Sequence, residues 1–204
     1  MSELEQAVAA IIAAGKRIYQ RGLVAGTDGN ISVRCGDVIL ISATNVSKSL
    51  LDRDNIAMIN LAGESLRPDI QPSSEAAMHR AVYIARPEIK AVIHGHPPIA
   101  TAYALAGKPF PTELVESRLM LGKIPLLPFT EAGTTQLADQ VGQTCVNCRG
   151  VLLGGHGAAV WDQELSMAIC LLEAMEQVAK TSFYASVLQH LPGEDNLSSR
   201  NFTK

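Results

Sequence analysis

"AVIHGHPP", residues 91–98, is the stretch on which the reading of this chain turns. An apolar run ends in His94 and His96, one residue apart, and two prolines follow at once. Side chains at i and i+2 of a strand share one face. The pattern therefore sets two imidazoles side by side at the end of a buried strand. Pro97 and Pro98 close that strand and open a short helix through "PPIATAYALAG". Two imidazoles on one face suit one metal ion, and a third ligand with an open coordination position would make the site catalytic. On these residues alone, a pair of core histidines bonded to backbone is an equal reading.

A third histidine repeats the pattern. His156 leaves the apolar run of "LLGGHGA" at a glycine-rich turn. A single histidine of this kind is usually structural. Three at strand ends beside glycine make a joint case for a catalytic metal site, because neutral imidazole is a good zinc ligand and three leave room for substrate or water.

Outward from these histidines, strands and helices alternate irregularly. Residues 3 to 21 have helical periodicity in Leu4, Val8, Ile11, Ile12 and Ile18, and Gly22 ends the helix. "GTDGNISVRCGDVILISAT" reads as a glycine-rich turn, a strand, a turn at Gly36-Asp37 and a second strand, and "NIAMINLAGES" as a third. "PSSEAAMHRAVYIARP" has a helix start and stop. "GTTQLADQVGQTC" is a helix, "GVLLGGHGAAVW" a strand–turn–strand, and "DQELSMAICLLEAMEQVAKTSFYASVLQH" a long helix. Adjacent strands close enough for hairpins predict one sheet, largely antiparallel or mixed, with helices on both faces. The expected organisation is a single α/β domain over residues 1–190, then a polar tail, 191–204, expected to be mobile.

Bulk properties exclude several partners. The 204 residues suffice for one substantial core, with 47% hydrophobic and 18% charged residues. A net charge of −3 and the lack of a basic run argue against nucleic acid, and 4% aromatics against base stacking. No apolar run reaches the length of a membrane span, and "MSELEQAVAA" is acidic and helical rather than a secretory signal. The expected location is the cytoplasm, with no membrane partner. Cys145 and Cys148 form a CxxC without a second ligand pair, and read as ordinary reduced thiols.

Further candidates surround the histidines. In "QPSSEAAMH", Ser73 and Ser74 mark a helix N-terminus that could hold an anion or simply cap the helix. Glu75 follows in the first turn, as a general base, a fourth ligand or a carboxylate answering the helix dipole. His79 lies one turn on and could order Glu75. "GTDGNIS" (26–32) and "ISATN" (41–45) are candidate anion loops, the second with hydroxyls at Ser42 and Thr44. Lys48 reads best as a solvated surface lysine.

Taken in register, "GTDGNIS", "ISAT", "PSSE", "VIHGHPP" and "LLGGHG" resemble the class II aldolase and adducin family, on its L-fuculose-phosphate aldolase side, over roughly residues 4 to 190. The resemblance implies a three-layer α/β/α domain around a mainly antiparallel sheet, assembled as a homotetramer with active sites at subunit interfaces. It implies that His94, His96 and His156 bind Zn2+ or another divalent ion such as Mn2+ or Co2+. It implies that Asn30, Thr44, Ser73 and Ser74 hold the phosphate of a small sugar phosphate, and that Glu75 is the catalytic acid/base. The implied reaction is the reversible cleavage of a short ketose 1-phosphate, such as L-fuculose 1-phosphate, to dihydroxyacetone phosphate and an aldehyde. Deoxyribulose- and methylthioribulose-phosphate aldolases or dehydratases, 4-epimerases and decarboxylases are same-fold alternatives; a non-catalytic adducin-like domain would not need the three histidines. The sequence departs from the family aldolases at Asn45, where they have glycine, and in the tyrosines they use as proton donors. "FPTELVESRLMLGKIPLLPF" has none, and the tail offers only Phe202. Glu113, Glu116 and Arg118 are the polar alternatives in that segment.

Overall fold

The computed structural model describes residues 2–191, so the expected tail lies, but for its first residue, outside the described residues. Helix α1 (Glu3–Gln20) starts from a capping box in which the Ser2 hydroxyl accepts from Glu5 N while the Glu5 carboxylate accepts from Ser2 N. It ends where Gly22 takes φ +68°.

Strands β1 (Asn30–Cys35) and β2 (Val38–Ser42) form the hairpin turned at Gly36-Asp37, and β3 (Ile56–Asn60) pairs antiparallel with β2. Helix α2 (Ala76–Ala85) leads into β4 (Ala91–Gly95), which ends at the Pro97-Pro98 start of α3 (Pro98–Leu105). After a π-helical turn at Ser117–Leu121 comes the two-residue β5 (Leu126–Leu127), then α4 (Thr135–Thr144). The hairpin of β6 (Gly150–Leu153) and β7 (Gly157–Asp162) precedes the long helix α5 (Leu165–Gln189).

The seven strands form one sheet in the order β3-β2-β1-β4-β7-β6-β5. Every pairing is antiparallel except β5 with β6. Strand alternation divides the core. Ile31, Ile93, Ala158 and Val160 pack with residues of α1, α3 and α5 on one face. Ile39, Val92, Val151 and Trp161 pack with α2 and α4 on the other. The layers are therefore α/β/α with a mixed, mainly antiparallel sheet. Segment 108–131, to which periodicity assigns no element, holds the π-helical turn and β5. A two-residue parallel strand is too short to leave a periodic signature.

Cys145 and Cys148 donate to carbonyls one turn back, at Gly142 and Thr144, as core thiols do. Burial raises both, Cys148 to about 11. Among the described residues no helix is long and apolar enough to cross a membrane.

Candidate active site

The three histidines converge. His94 is fully buried at the end of central strand β4, opposite Asn30 on β1 and Ala159 on β7. His96 lies just beyond, its backbone N–H bonded to Leu23 O. His156 sits in the three-residue tip of the β6–β7 hairpin. Their ring centroids are 4.6–5.2 Å apart. The glycine after His156 permits this approach. A Cβ on Gly157 would lie 2.7 Å from His96 Cδ2, 3.2 Å from His94 Cε1 and 2.6 Å from Gly95 O. We therefore expect Gly157→Ala to lower divalent-ion affinity roughly 10- to 100-fold through displaced imidazoles. Titration calorimetry checks this, and wild-type affinity in the variant would contradict it.

The hydrogen bonds determine which nitrogens carry lone pairs. His94 Nδ1 donates to Ala158 O at 3.0 Å, so its Nε2 is an acceptor. His96 turns Nδ1 towards Asp28 Oδ2 at 3.5 Å, which aims the Nε2 lone pair inward. The two Nε2 atoms are 3.0 Å apart. Glu75 Oε2 lies 3.2 Å from His94 Nε2, and Oε1 lies 3.7 Å from His156 Nε2. Glu75 Oε1 and His156 Nδ1 are buried without a hydrogen-bond partner. Acceptors converging on one point, one of them orphaned, fit a cation. Burial, aided by the mutual proximity of the imidazoles, holds His94 well below its ordinary pKa and lowers His96, which keeps both in the neutral form that a metal requires. The three histidines could therefore hold a divalent ion, with Glu75 beside it.

Glu75 reaches this point because α2 starts late. Ala43 bridges Pro72, Thr44 N donates to Gln71 O, and Ser73 N donates to Ser42 O, so residues 71–73 stay extended along β2. The helix begins at Ala76 with Glu75 at the cap. The serines, expected from sequence to mark the cap, do not supply it. Instead Ser73 Oγ accepts from Glu75 N, and the Glu75 side chain, free of any capping bond, turns to the imidazoles.

A hydrogen-bonded chain behind Glu75 runs in one direction. Asn30 Nδ2 donates to Glu75 Oε2 at 2.8 Å, which leaves Asn30 Oδ1 to accept from His79 Nε2. His79 Nδ1 is then an acceptor for Ser32 Oγ at 2.7 Å, and Ser32 accepts from the Tyr83 hydroxyl at 2.7 Å. The polarity orients the Asn30 amide and leaves Oε1 as the free oxygen of Glu75. His79 is fully buried, and desolvation pushes it down to about 3. Between pH 6.5 and 3 the unfolded chain binds a proton at this residue that the folded protein does not, so stability falls as pH drops through this window. The urea midpoint of metal-free protein is expected to decline from about pH 7 to about pH 5. His79→Gln is expected to flatten that decline; an equal slope in both proteins would contradict a neutral His79.

Beside the centre lies a small polar pocket of about 160 Å³. Asn30, Thr44, Ser73, Ser74, Glu75, His96 and His156 all line it, together with Asp28, Asn45 and Lys48. Ser42 is turned away: it is buried and its hydroxyl accepts from Ile31 N. Asn45 has φ +58°, the only positive φ of a non-glycine residue among those described. Asparagine tolerates the left-handed region, so the departure from the glycine that the resemblance implies at position 45 is compatible with this backbone. Asn45→Gly should leave stability within a few tenths of a kcal/mol, whereas Asn45→Val should cost about 1–2 kcal/mol by urea unfolding. Equal stability of the two variants would refute the backbone argument.

Two expectations are corrected. Lys48 is 1% exposed, not solvated. Glu113 and Glu116 line grooves against α5, while Arg118 is exposed and lines no part of the pocket. Sequence reasoning also missed Asp28, Ser32 and Tyr83. Asp28 and Ser32 lay inside a stretch already singled out, 26–32; Tyr83 carried no local signal.

Residues 9–183 match the family described as Class II Aldolase and Adducin N-terminal domain. The chain belongs to the class II aldolase and adducin family. It is 34% identical over 171 residues to a 3-oxo-tetronate 4-phosphate decarboxylase of Cupriavidus necator, covering 81% of this chain and 78% of that protein. It is 28% identical over 172 residues to an L-fuculose phosphate aldolase of Methanococcus maripaludis, covering 84% and 93%. The crystal structure of L-fuculose-1-phosphate aldolase from Thermus thermophilus superimposes with a TM-score of 0.85 at 26% identity, covering 93% of this chain and 98% of that one. The family thus contains both aldolases and decarboxylases, and this chain has its fold together with a histidine cluster able to hold a metal ion.

Proposed function

We propose that this chain is a metal-dependent decarboxylase of a 3-oxo-tetronate 4-phosphate, working through the enediolate of dihydroxyacetone phosphate. One observation carries the reading: Glu75 Oε1 is a buried, unpartnered carboxylate oxygen in a pocket whose lining, among the described residues, includes no tyrosine. Retro-aldol cleavage must take a proton from a hydroxyl as the aldehyde forms, and also needs a proton at the enediolate carbon, so it calls for two acid–base roles. Loss of carbon dioxide from a 3-oxo acid needs only one. The carboxylate leaves without a proton, the electrons of the broken C1–C2 bond pass into the enediolate, and Glu75 relays one proton from solvent water to C2. The sequence similarity to the Cupriavidus decarboxylase supports the same reading.

A divalent ion held by His94, His96 and His156 would supply Lewis-acid stabilisation of the charge developing on the two enediolate oxygens. Asn30 holds Glu75 Oε2 and so keeps Oε1 aimed into the pocket. Thr44, Ser73 and Ser74 anchor the phosphate, which fixes the reacting carbon against Glu75.

The second reading is aldol cleavage of a short ketose 1-phosphate such as L-fuculose 1-phosphate, favoured by the close superposition on the Thermus aldolase. It shares the enediolate. The deciding assay gives metal-analysed protein either 3-oxo-tetronate 4-phosphate or L-fuculose 1-phosphate and follows carbon dioxide and dihydroxyacetone phosphate. Faster product release from the keto acid upholds the decarboxylase. Faster cleavage of the ketose would give the chain to the aldolases.

We also propose a cytoplasmic homotetramer. Leu105, Phe129 and Leu119, 70–82% exposed, support self-association, and Leu105 and Phe129 share a groove with Gly154 and Gly155 beside His156.

A further inference from the structure

Lys48 is the one lysine among the described residues whose burial demands an explanation. It is 1% exposed, and its ammonium donates to Thr27 O at 3.1 Å and to Val46 O. Among the described residues no carboxylate forms an ion pair with it. Its two carbonyl partners belong to the two loops, 26–30 and 43–47, that form one wall of the polar pocket, and Lys48 itself lines that pocket beside Thr44, Asn45 and Ser73. A buried ammonium without a counter-charge is costly. Burial lowers it to about 8, with Asp28 opposing the shift, so it remains largely charged near neutrality. Ammonium offers three protons, and two carbonyls take two. A cation with a spare donor, held in a pocket rich in hydroxyls, is matched by an anion.

We propose that Lys48 is the counter-ion of the substrate's phosphate, the charged member of a seat otherwise built from the neutral groups of Thr44, Ser73 and Ser74. This rests on the sugar-phosphate reading above and adds to it. In that seat the cation favours a phosphate dianion over an unphosphorylated acid. By bonding to Thr27 O and Val46 O, the same side chain also joins the two loops, which places the charge and the seat in one rigid unit. The competing role is that of a loop staple alone, with no charge used.

The test compares metal-loaded wild type, Lys48→Met and Lys48→Arg, with inorganic phosphate as the probe in titration calorimetry. Removing a charged hydrogen bond should raise the phosphate Kd roughly 10- to 100-fold in Lys48→Met, and Lys48→Arg should recover part of that loss. Bound metal per chain should be unchanged in both. In turnover, Lys48→Met should raise KM far more than it lowers kcat. Equal phosphate affinity in Lys48→Met and wild type would overturn the proposal. So would joint loss of metal and phosphate without recovery in Lys48→Arg, which is the signature of a staple. If Lys48→Met does not fold, the wild-type protein decides: the Lys48 Cε–H NMR signal, assigned through Lys48→Arg, must move on addition of phosphate, and an unmoved signal refutes the assignment. Phosphate binding through Lys48 without carbon dioxide release would leave this inference standing and remove the decarboxylase reading. Carbon dioxide release with one KM in wild type and Lys48→Met would do the reverse.

Discussion

The His94→Ala protein is expected to lose its divalent ion and to turn over at least roughly a thousandfold more slowly. His94 is the inner member of the cluster. Its Nδ1–H is committed to Ala158 O, and its Nε2 lies 3.0 Å from that of His96 and 3.2 Å from Glu75 Oε2. Its removal deprives the cluster of the imidazole with the best-determined orientation. It also opens a cavity at a fully buried position and leaves the Ala158 carbonyl without its donor, at a cost of about 1–3 kcal/mol in stability. His96→Ala separates the two effects, because His96 is only partly buried. It should lose metal with little loss of stability. Metal content by atomic absorption, with urea unfolding alongside, decides the matter. A full complement of metal in folded His94→Ala would remove the histidine cluster as the metal site.

Glu75→Gln is expected to keep its metal and its fold while proton transfer falls about 10²- to 10⁴-fold. Glutamine retains the shape of the side chain and an oxygen for Asn30 Nδ2, and the three imidazoles are untouched. What disappears is the capacity of Oε1 to carry a proton. The partial reaction isolates the effect: metal-loaded protein in heavy water with dihydroxyacetone phosphate should exchange one C3 proton stereospecifically, and Glu75→Gln should not. This exchange is common to the decarboxylase and aldolase readings, so it tests the base and not the leaving group. Exchange at the wild-type rate in Glu75→Gln would assign the proton to another residue.

Much of this protein was legible before its structure. The i, i+2 spacing of His94 and His96 at the end of an apolar run put the two imidazoles side by side, although β4 ends at Gly95 and His96 lies just beyond it, and the glycines around His156 marked a tight hairpin. These are local facts of covalent geometry and periodicity, so sequence carries them. The helical and alternating patterns likewise predicted a sheet covered on both faces. The fold of residues 108–131 was not legible, because the two-residue parallel β5 is set by its pairing with β6, and the π-helical turn by its packing against α5, rather than by their own pattern.

The sequence by itself determined the chemical inventory: three imidazoles, one carboxylate beside two serines, and loops suited to an anion. Tertiary structure alone decided how these groups act. It placed Glu75 at a helix cap rather than inside a first turn, because the Ala43–Pro72 bridge holds the preceding residues extended. It committed both ends of the Asn30 amide, to Glu75 and to His79, from residues 45 and 49 positions away. It buried Lys48, which reads from sequence as a surface residue, against two loop carbonyls. Hydrogen-bond direction and desolvation depend on neighbours brought in from distant parts of the chain, and no local pattern encodes them.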